Sequence, residues 1–176
     1  MDIRTTILRQ ASREEIPIIQ HIAGKIYGPT YLAILGQPQV EYMLGKIYST
    51  SALLEQMEQG HIFLIAQSQQ RDVGFVSYNC ANATLGVFKL QKLYVLPEMQ
   101  GSGLGAYLVN TVTSQVRQRG GKILQLNVNR FNRARGFYEK LGFRVTETVD
   151  IPIGEGYFMN DYVMEMDLKE GEALGT

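Results

Sequence analysis

A short apolar run, a proline and three alternating glycines stand ahead of a helical pattern in residues 92–106, KLYVLPEMQGSGLGA. Gly101, Gly103 and Gly105 let the backbone turn sharply and approach a ligand closely. A helix starting just behind them leaves its first N–H groups without partners and aims the positive end of its dipole at the loop. Together these features make a seat for phosphate oxygens. The pattern therefore predicts a fold in which a strand feeds a helix through a turn that grips phosphate, the alternative being a glycine turn with no ligand.

Three phosphate-binding designs fit this loop poorly. A P-loop ends in Gly-Lys-Ser/Thr, whereas Gly105 is followed by Ala106 and Tyr107. A dinucleotide site needs GxGxxG and an acidic residue at the end of the next strand. The next strand here, ILQLNVN, offers Asn127 and Asn129. A kinase-type glycine loop lies between two strands, and this one opens a helix.

The remaining pattern is mixed. Ile3 to Arg9 reads as a first strand, and Ser12 with Glu15 as a capping box. Ile16, Ile19, His21, Ile22 and Ile26 mark a mostly apolar helix face that Gly28-Pro29 should end. Tyr31 to Gln59 reads as one or two more helices, with breaks at Gly36/Pro38 and at Ser49-Thr50-Ser51. His61 to Ala66 and Val73 to Tyr78 predict a hairpin turning at Gln69 to Asp72. Leu85 to Val95 is a longer strand. Leu104, Leu108, Val112 and Val116 lie on one helix face, and Ile123 to Val128 form the next strand. Ala134 to Leu141 is a short helix, and Phe143 to Val149 and Tyr157 to Leu168 are the last strands. This order predicts an α+β (mixed α/β) fold in one domain spanning residues 1–176. The helix crossover requires the strands around Leu85–Val95 and Lys122–Val128 to run parallel.

Composition narrows the function classes. The 17 basic and 17 acidic residues cancel, and no Lys/Arg block marks a nucleic-acid footprint. No apolar run reaches membrane-spanning length. The first ten residues lack the apolar core of a signal peptide, and the lone Cys80 cannot form an internal disulfide, which together predict a soluble, cytoplasmic protein. Cys80 reads as a small buried residue. His21 and His61 stand far apart without a carboxylate-rich neighbourhood, so no metal site is expected.

Two motifs carry a family resemblance. Gln100-Gly101-Ser102-Gly103-Leu104-Gly105 matches the [Gln/Arg]-x-x-Gly-x-[Gly/Ala] loop of GNAT N-acetyltransferases. Asn129-Arg130-Phe131-Asn132-Arg133-Ala134, followed by Phe137-Tyr138-Glu139-Lys140-Leu141-Gly142-Phe143, is similar to that family's Asn-bearing strand end and FYxxxGF helix. The resemblance covers roughly Gln10 to Leu168 and is strongest from Val73 onward. It implies a central, twisted mixed sheet of about seven strands with helices on both faces, and acetyl-CoA as cofactor.

It also implies roles. The loop from Gln100 through Gly101, Ser102, Gly103, Leu104 and Gly105 to Ala106 would bind the pyrophosphate. Leu93, Tyr94 and Val95 would hydrogen-bond the pantetheine arm as an added strand does, and the strand from Lys122 would splay away. Asn132, and with it Asn129, would meet the cofactor arm, although Asn127 and Asn129 also suit a strand-end role. Tyr138 would protonate, or donate a hydrogen bond to, the departing thiolate. Many relatives carry a Glu base near the position of Gln91, and Gln cannot take that proton. Asp161 and Glu165 then read as remote acids or, more simply, as solvated strand residues. Direct transfer leaves no covalent role for Cys80.

The resemblance implies a small-molecule amine as acceptor. Tyr27, Tyr31, Tyr42 and Tyr48 could hold a cation on their ring faces, assisted by Glu41, Glu55 and Glu58, or could simply pack helices. The helical region and the closing IGEGYFMNDYVMEMDL look like the PaiA-type spermidine/spermine acetyltransferases, which puts polyamines first. Peptide or protein N-termini, and a non-catalytic acyl-CoA-binding regulator, are the alternatives, and homodimerisation is left open.

Overall fold

The computed structural model describes residues 5–168. Five helices and seven strands follow in this order: β1 (Ile7–Gln10), α1 (Ile16–Leu35), α2 (Gln37–Tyr48), α3 (Thr50–Glu58), β2 (Ile62–Ser68), β3 (Arg71–Asn82), β4 (Val87–Val95), α4 (Leu104–Gln118), β5 (Ile123–Asn129), α5 (Ala134–Lys140), β6 (Arg144–Gly154) and β7 (Tyr157–Asp167). The strands form one mixed sheet in the order β1-β2-β3-β4-β5-β7-β6. The chain clusters into two compact units, one holding residues up to Asn79 with Gln91–Asn110, the other Cys80–Leu90 with residues from Thr111 onward.

In the first unit, β2 pairs antiparallel with β1 and with β3. The β2–β3 hairpin turns on two residues, Gln69 (φ 49°) and Gln70 (φ 61°), both in the left-handed region. Such a mirror-image turn matches the twist of the flanking strands. Ile16, Ile19, Ile22, Ala23 and Ile26 of α1 are buried, as are Leu53, Phe63, Ile65, Val73 and Phe75. At Gly74 a Cβ would lie 2.6 Å from the Tyr94 carbonyl oxygen, so only glycine allows β3 and β4 to approach this closely.

In the second unit, β4 and β5 run parallel from Val87↔Ile123 to Leu90↔Leu126, as the helix crossover requires. β7 pairs antiparallel with β5 and β6. Phe88, Leu90, Val112, Val116, Leu124, Leu126, Phe143 and Met164 are buried. Pro152, which lacks an N–H, sits in β6, the edge strand, where it costs the ladder least.

Several boundaries differ from the sequence reading. Gly28-Pro29 does not end α1, which continues to Gly36 (φ 77°), whose N–H caps Leu32 O. Interior proline removes one helix hydrogen bond. Packing carries the helix through: Tyr27 is buried, its ring lies 4.6 Å from that of Tyr31, and its hydroxyl meets Met43 Sδ at 3.0 Å. β1 starts at Ile7, while Ile3 and Arg4 lie outside the described residues. β4 starts at Val87, because Gly86 (φ 68°) closes a turn and its carbonyl accepts Lys122 N–H at 2.8 Å. β6 runs past Val149 to Gly154, carried by its ladder with β7.

Candidate active site

The glycine loop has the geometry of an anion seat. Gly101 (φ 77°) and Gly103 (φ 89°) are both left-handed, and the space where a Gly101 Cβ would sit is open to 4 Å. Ser102 N–H bonds Met99 O, Leu104 N–H bonds Ser102 Oγ at 3.3 Å, and Tyr107 N–H bonds Gly103 O. Among the described residues no acceptor meets the N–H of Gly101, Gly103, Gly105 or Ala106. These donors stand at the start of a 15-residue helix with no acidic residue in its first turn. A pyrophosphate fits this donor set. Leu104 takes part only as an anchor, because its side chain is fully buried.

Leading into the loop, Leu93, Tyr94 and Val95 are half-buried at the end of β4. Gln100 Nε2 lies 3.4 Å from Val95 O, a long hydrogen bond that ties the loop to the strand before it. Gln91 donates its amide to Asn79 Oδ1 at 2.9 Å.

In the second unit the Asn-rich turn shapes its own backbone. Asn129 Oδ1 accepts Phe131 N–H at 3.0 Å, Asn129 O accepts Asn132 N–H, and Asn132 Oδ1 accepts Ala134 N–H at 2.9 Å. Both oxygens thus form local turns that launch α5. Tyr138, half-buried on α5, packs edge-on to Phe137 and Phe143 at 5.1 and 5.8 Å between ring centres.

One sequence expectation needs correction, and one open choice falls to its packing alternative. Cys80 is exposed, because the outer end of β3 is solvent-facing. The tyrosines of the helical region do not form an open cation box. Tyr27 and Tyr48 are 4% and 6% exposed, and the chain's own cations already face the rings: Lys92 Nζ lies 5.8 Å from the Tyr48 centroid and Lys46 Nζ 5.4 Å from that of Tyr42. Glu41, Glu55 and Glu58 are exposed and engaged by Gln37, Gln59 and Arg13. No group of three or more His, Cys, Asp and Glu able to hold a metal ion occurs among the described residues. Nor is any described helix long and apolar enough to cross a membrane.

Lys92 is a buried cation that the sequence reading passed over. Its ammonium donates to Gln56 Oε1 at 2.5 Å, lies 5.5 Å from the Phe63 ring centre, and is lowered by burial to a pKa of about 8. The signal was present: Phe88, Leu90 and Lys92 alternate along one face of β4, and the first two are core residues. His61, with Nδ1 buried and unpartnered, is pushed down to about 4 by burial and then by Lys92. The four residues Asn127, Asn129, Asp161 and Glu165, each named in the sequence reading, fall into one polar row on the second unit's sheet. Lys89, Gln125, Asn127, Asn129, Glu165 and Asp161 share one face by register. Asp161 is only 3% exposed, so it is not a solvated strand residue.

The family model of the acetyltransferase (GNAT) domain matches residues 31–157. An uncharacterized N-acetyltransferase of Mycobacterium tuberculosis is 38% identical over 81 residues, 46% of this chain and 51% of that protein. The chain thus spans about half the length of the first curated relatives it matches. The PaiA N-acetyltransferase of Thermoplasma acidophilum, solved in complex with coenzyme A, aligns with a TM-score of 0.78 at 23% identity, over 92% of this chain and 98% of that one. A ribosomal-protein-alanine N-acetyltransferase of Brucella melitensis aligns with a TM-score of 0.66 at 19% identity, over 92% and 99%. At such identities the two structures speak to the fold, and the fold agrees with the family match: the chain belongs to the GNAT acetyltransferase family.

Proposed function

We propose that the chain acts as one catalytic domain, an acetyl-CoA-dependent N-acetyltransferase that passes acetyl directly to a primary amine. The observation that carries this reading is the set of unpartnered N–H groups at Gly101, Gly103, Gly105 and Ala106, ahead of a long helix in a chain of this family. These N–H groups hold the pyrophosphate, with Gln100 and Ser102 fixing the loop. The backbone of Leu93, Tyr94 and Val95 holds the pantetheine arm, and Asn132 steadies it beside the turn that Asn129 shapes. Acetyl-CoA supplies the acetyl group as a thioester. Tyr138 donates a hydrogen bond where the thiolate develops. A phenol of pKa about 10 transfers its proton to a thiolate near 8.5 only weakly, so stabilisation is its main effect.

The acceptor is a small cationic amine, with polyamines first. The PaiA-like helical region and closing strands support this, and so do the carboxylates Asp161 and Glu165 on the polar sheet face. A peptide N-terminus is the second reading, favoured by the likeness in fold to a ribosomal-protein-alanine enzyme. A thiol-release screen with spermidine, spermine, amino acids and peptides tests both. Saturable release with one amine class is expected. Coenzyme A binding without release for any amine would instead leave a non-catalytic acyl-CoA-binding regulator.

A further inference from the structure

An amine must shed its ammonium proton before it can attack a thioester, and Gln91, bonded through its amide to Asn79, cannot receive that proton. The polar sheet face of the second unit offers a group that can. Asp161 is 3% exposed, yet the one hydrogen bond its side chain accepts among the described residues, from Asn127 Nδ2, is long at 3.4 Å. A buried carboxylate normally gathers several short donors. It stands in register opposite Asn129, the residue from which the turn to α5 and Tyr138 departs. Glu165, two register positions away on the same face, is already engaged by Gln125 Nε2 at 2.8 Å.

Resting on the acetyltransferase reading above, we propose that Asp161 is the terminal proton acceptor for the acceptor amine, reached through water beside Asn127. The N–H bond of the acceptor ammonium breaks and its electron pair stays on nitrogen. The proton forms an O–H bond on the Asp161 carboxyl and passes to solvent before the next turnover. The free amine then forms the N–C bond as the C–S bond breaks, and the second proton that nitrogen sheds passes to the departing sulfur, giving the amide and the free thiol.

The surroundings suit the task. Lys89 of β4 lies on the same sheet face and favours the ionised form of Asp161, yet no ion pair within 4 Å joins them among the described residues. Arg130, from the loop after β5, also favours the ionised form, although its own partner is Asp150 of β6. Glu147 of β6 and Glu165 of β7 share the sheet face with Asp161. Burial outweighs these cations and holds the Asp161 carboxyl above the ordinary aspartate range, which makes it a better proton acceptor than a solvated one.

Asp161→Asn keeps the size and can still meet Asn127. At neutral pH it should lower kcat/KM for the amine about 10²-fold. The deficit should close as pH approaches the amine's own pKa of about 10, because free amine needs no acceptor. Thermal melting and coenzyme A affinity should stay at wild-type values. Independently of turnover, the carboxyl carbon resonance of Asp161, assigned by its loss in Asp161→Asn, should titrate with a midpoint that falls when spermidine is added without acetyl-CoA. Wild-type turnover unchanged in Asp161→Asn across the pH range, or a midpoint unmoved by an amine that the wild type acetylates, overturns the proposal alone. If the wild type acetylates no amine, the enzymatic reading fails; a midpoint that still falls supports amine docking at Asp161, and one that stays fixed overturns the proposal as well.

Discussion

Tyr48 donates its hydroxyl to the hydroxyl of Tyr94 at 2.9 Å, with the two rings edge-on at 6.1 Å. Burial pushes both phenols well above their ordinary range, so they stay neutral at any working pH. The Tyr48 ring also faces the Lys92 ammonium, 5.8 Å from its centre. Tyr48→Phe removes the donor of this pair from a dry setting. It should cost about 1–2 kcal/mol in urea unfolding, the usual range when a buried hydroxyl loses its partner.

Lys92 predicts a rise in stability on the alkaline side. With its folded pKa near 8 against a reference of 10.5, the unfolded chain holds a proton between those values that the folded chain does not. Unfolding therefore becomes less favourable as pH climbs through that window, by up to about 3 kcal/mol. The comparison of wild type with Lys92→Met isolates the effect from exposed tyrosines. The difference between their urea midpoints should shift in favour of wild type between pH 7.5 and 10.

Gly105→Asp separates cofactor binding from folding. Gly105 lies in the first turn of α4, where an acidic side chain is favourable to the helix by about 0.3–1 kcal/mol. The same charge repels a phosphate seated on the neighbouring N–H groups. Stability should hold or rise while coenzyme A affinity, measured by calorimetry, falls at least tenfold. Gly103→Asp is the less clean variant, because φ 89° adds backbone strain.

Tyr138→Phe removes only an oxygen. Its ring contacts with Phe137 and Phe143 remain, so the fold should be unchanged. kcat should fall about 10²-fold with coenzyme A affinity intact. Single-turnover rates equal to wild type would exclude the hydroxyl from the transition state.

Gly74→Ala tests the packing of β3 on β4. The added methyl meets the Tyr94 carbonyl oxygen at 2.6 Å and Val95 Cα at 3.3 Å, both backbone atoms with little freedom to move. A loss of about 1–3 kcal/mol in denaturant unfolding is expected.

Element types were legible wherever a local rule was strong enough to act alone. The apolar spacing of Leu104, Leu108, Val112 and Val116 gave α4, and all four are fully buried. Ser49 was read as a break, and it caps α3 through Ala52 N–H. Pro29 misled because a local penalty was outweighed by the packing of Tyr27 on Met43 and Tyr31, which no single-residue rule contains. The glycine loop could be read because its chemistry lies within seven consecutive residues. Asp161 could not be read in the same way: its burial depends on β5 and β6 flanking β7, and strand order is set by the whole chain. Cys80 was misplaced for a similar reason, since nothing in the sequence around it says where β3 leaves the core.

The hairpin turn at Gln69 and Gln70 holds back stability that the rest of the fold would permit. Two glutamines hold left-handed backbone angles that asparagine and glycine adopt with far less strain. Gln70→Gly alone should raise the melting temperature by a few degrees, a gain of about 1 kcal/mol in a chain this size. The turn is thus a reserve of stability that a single substitution can release.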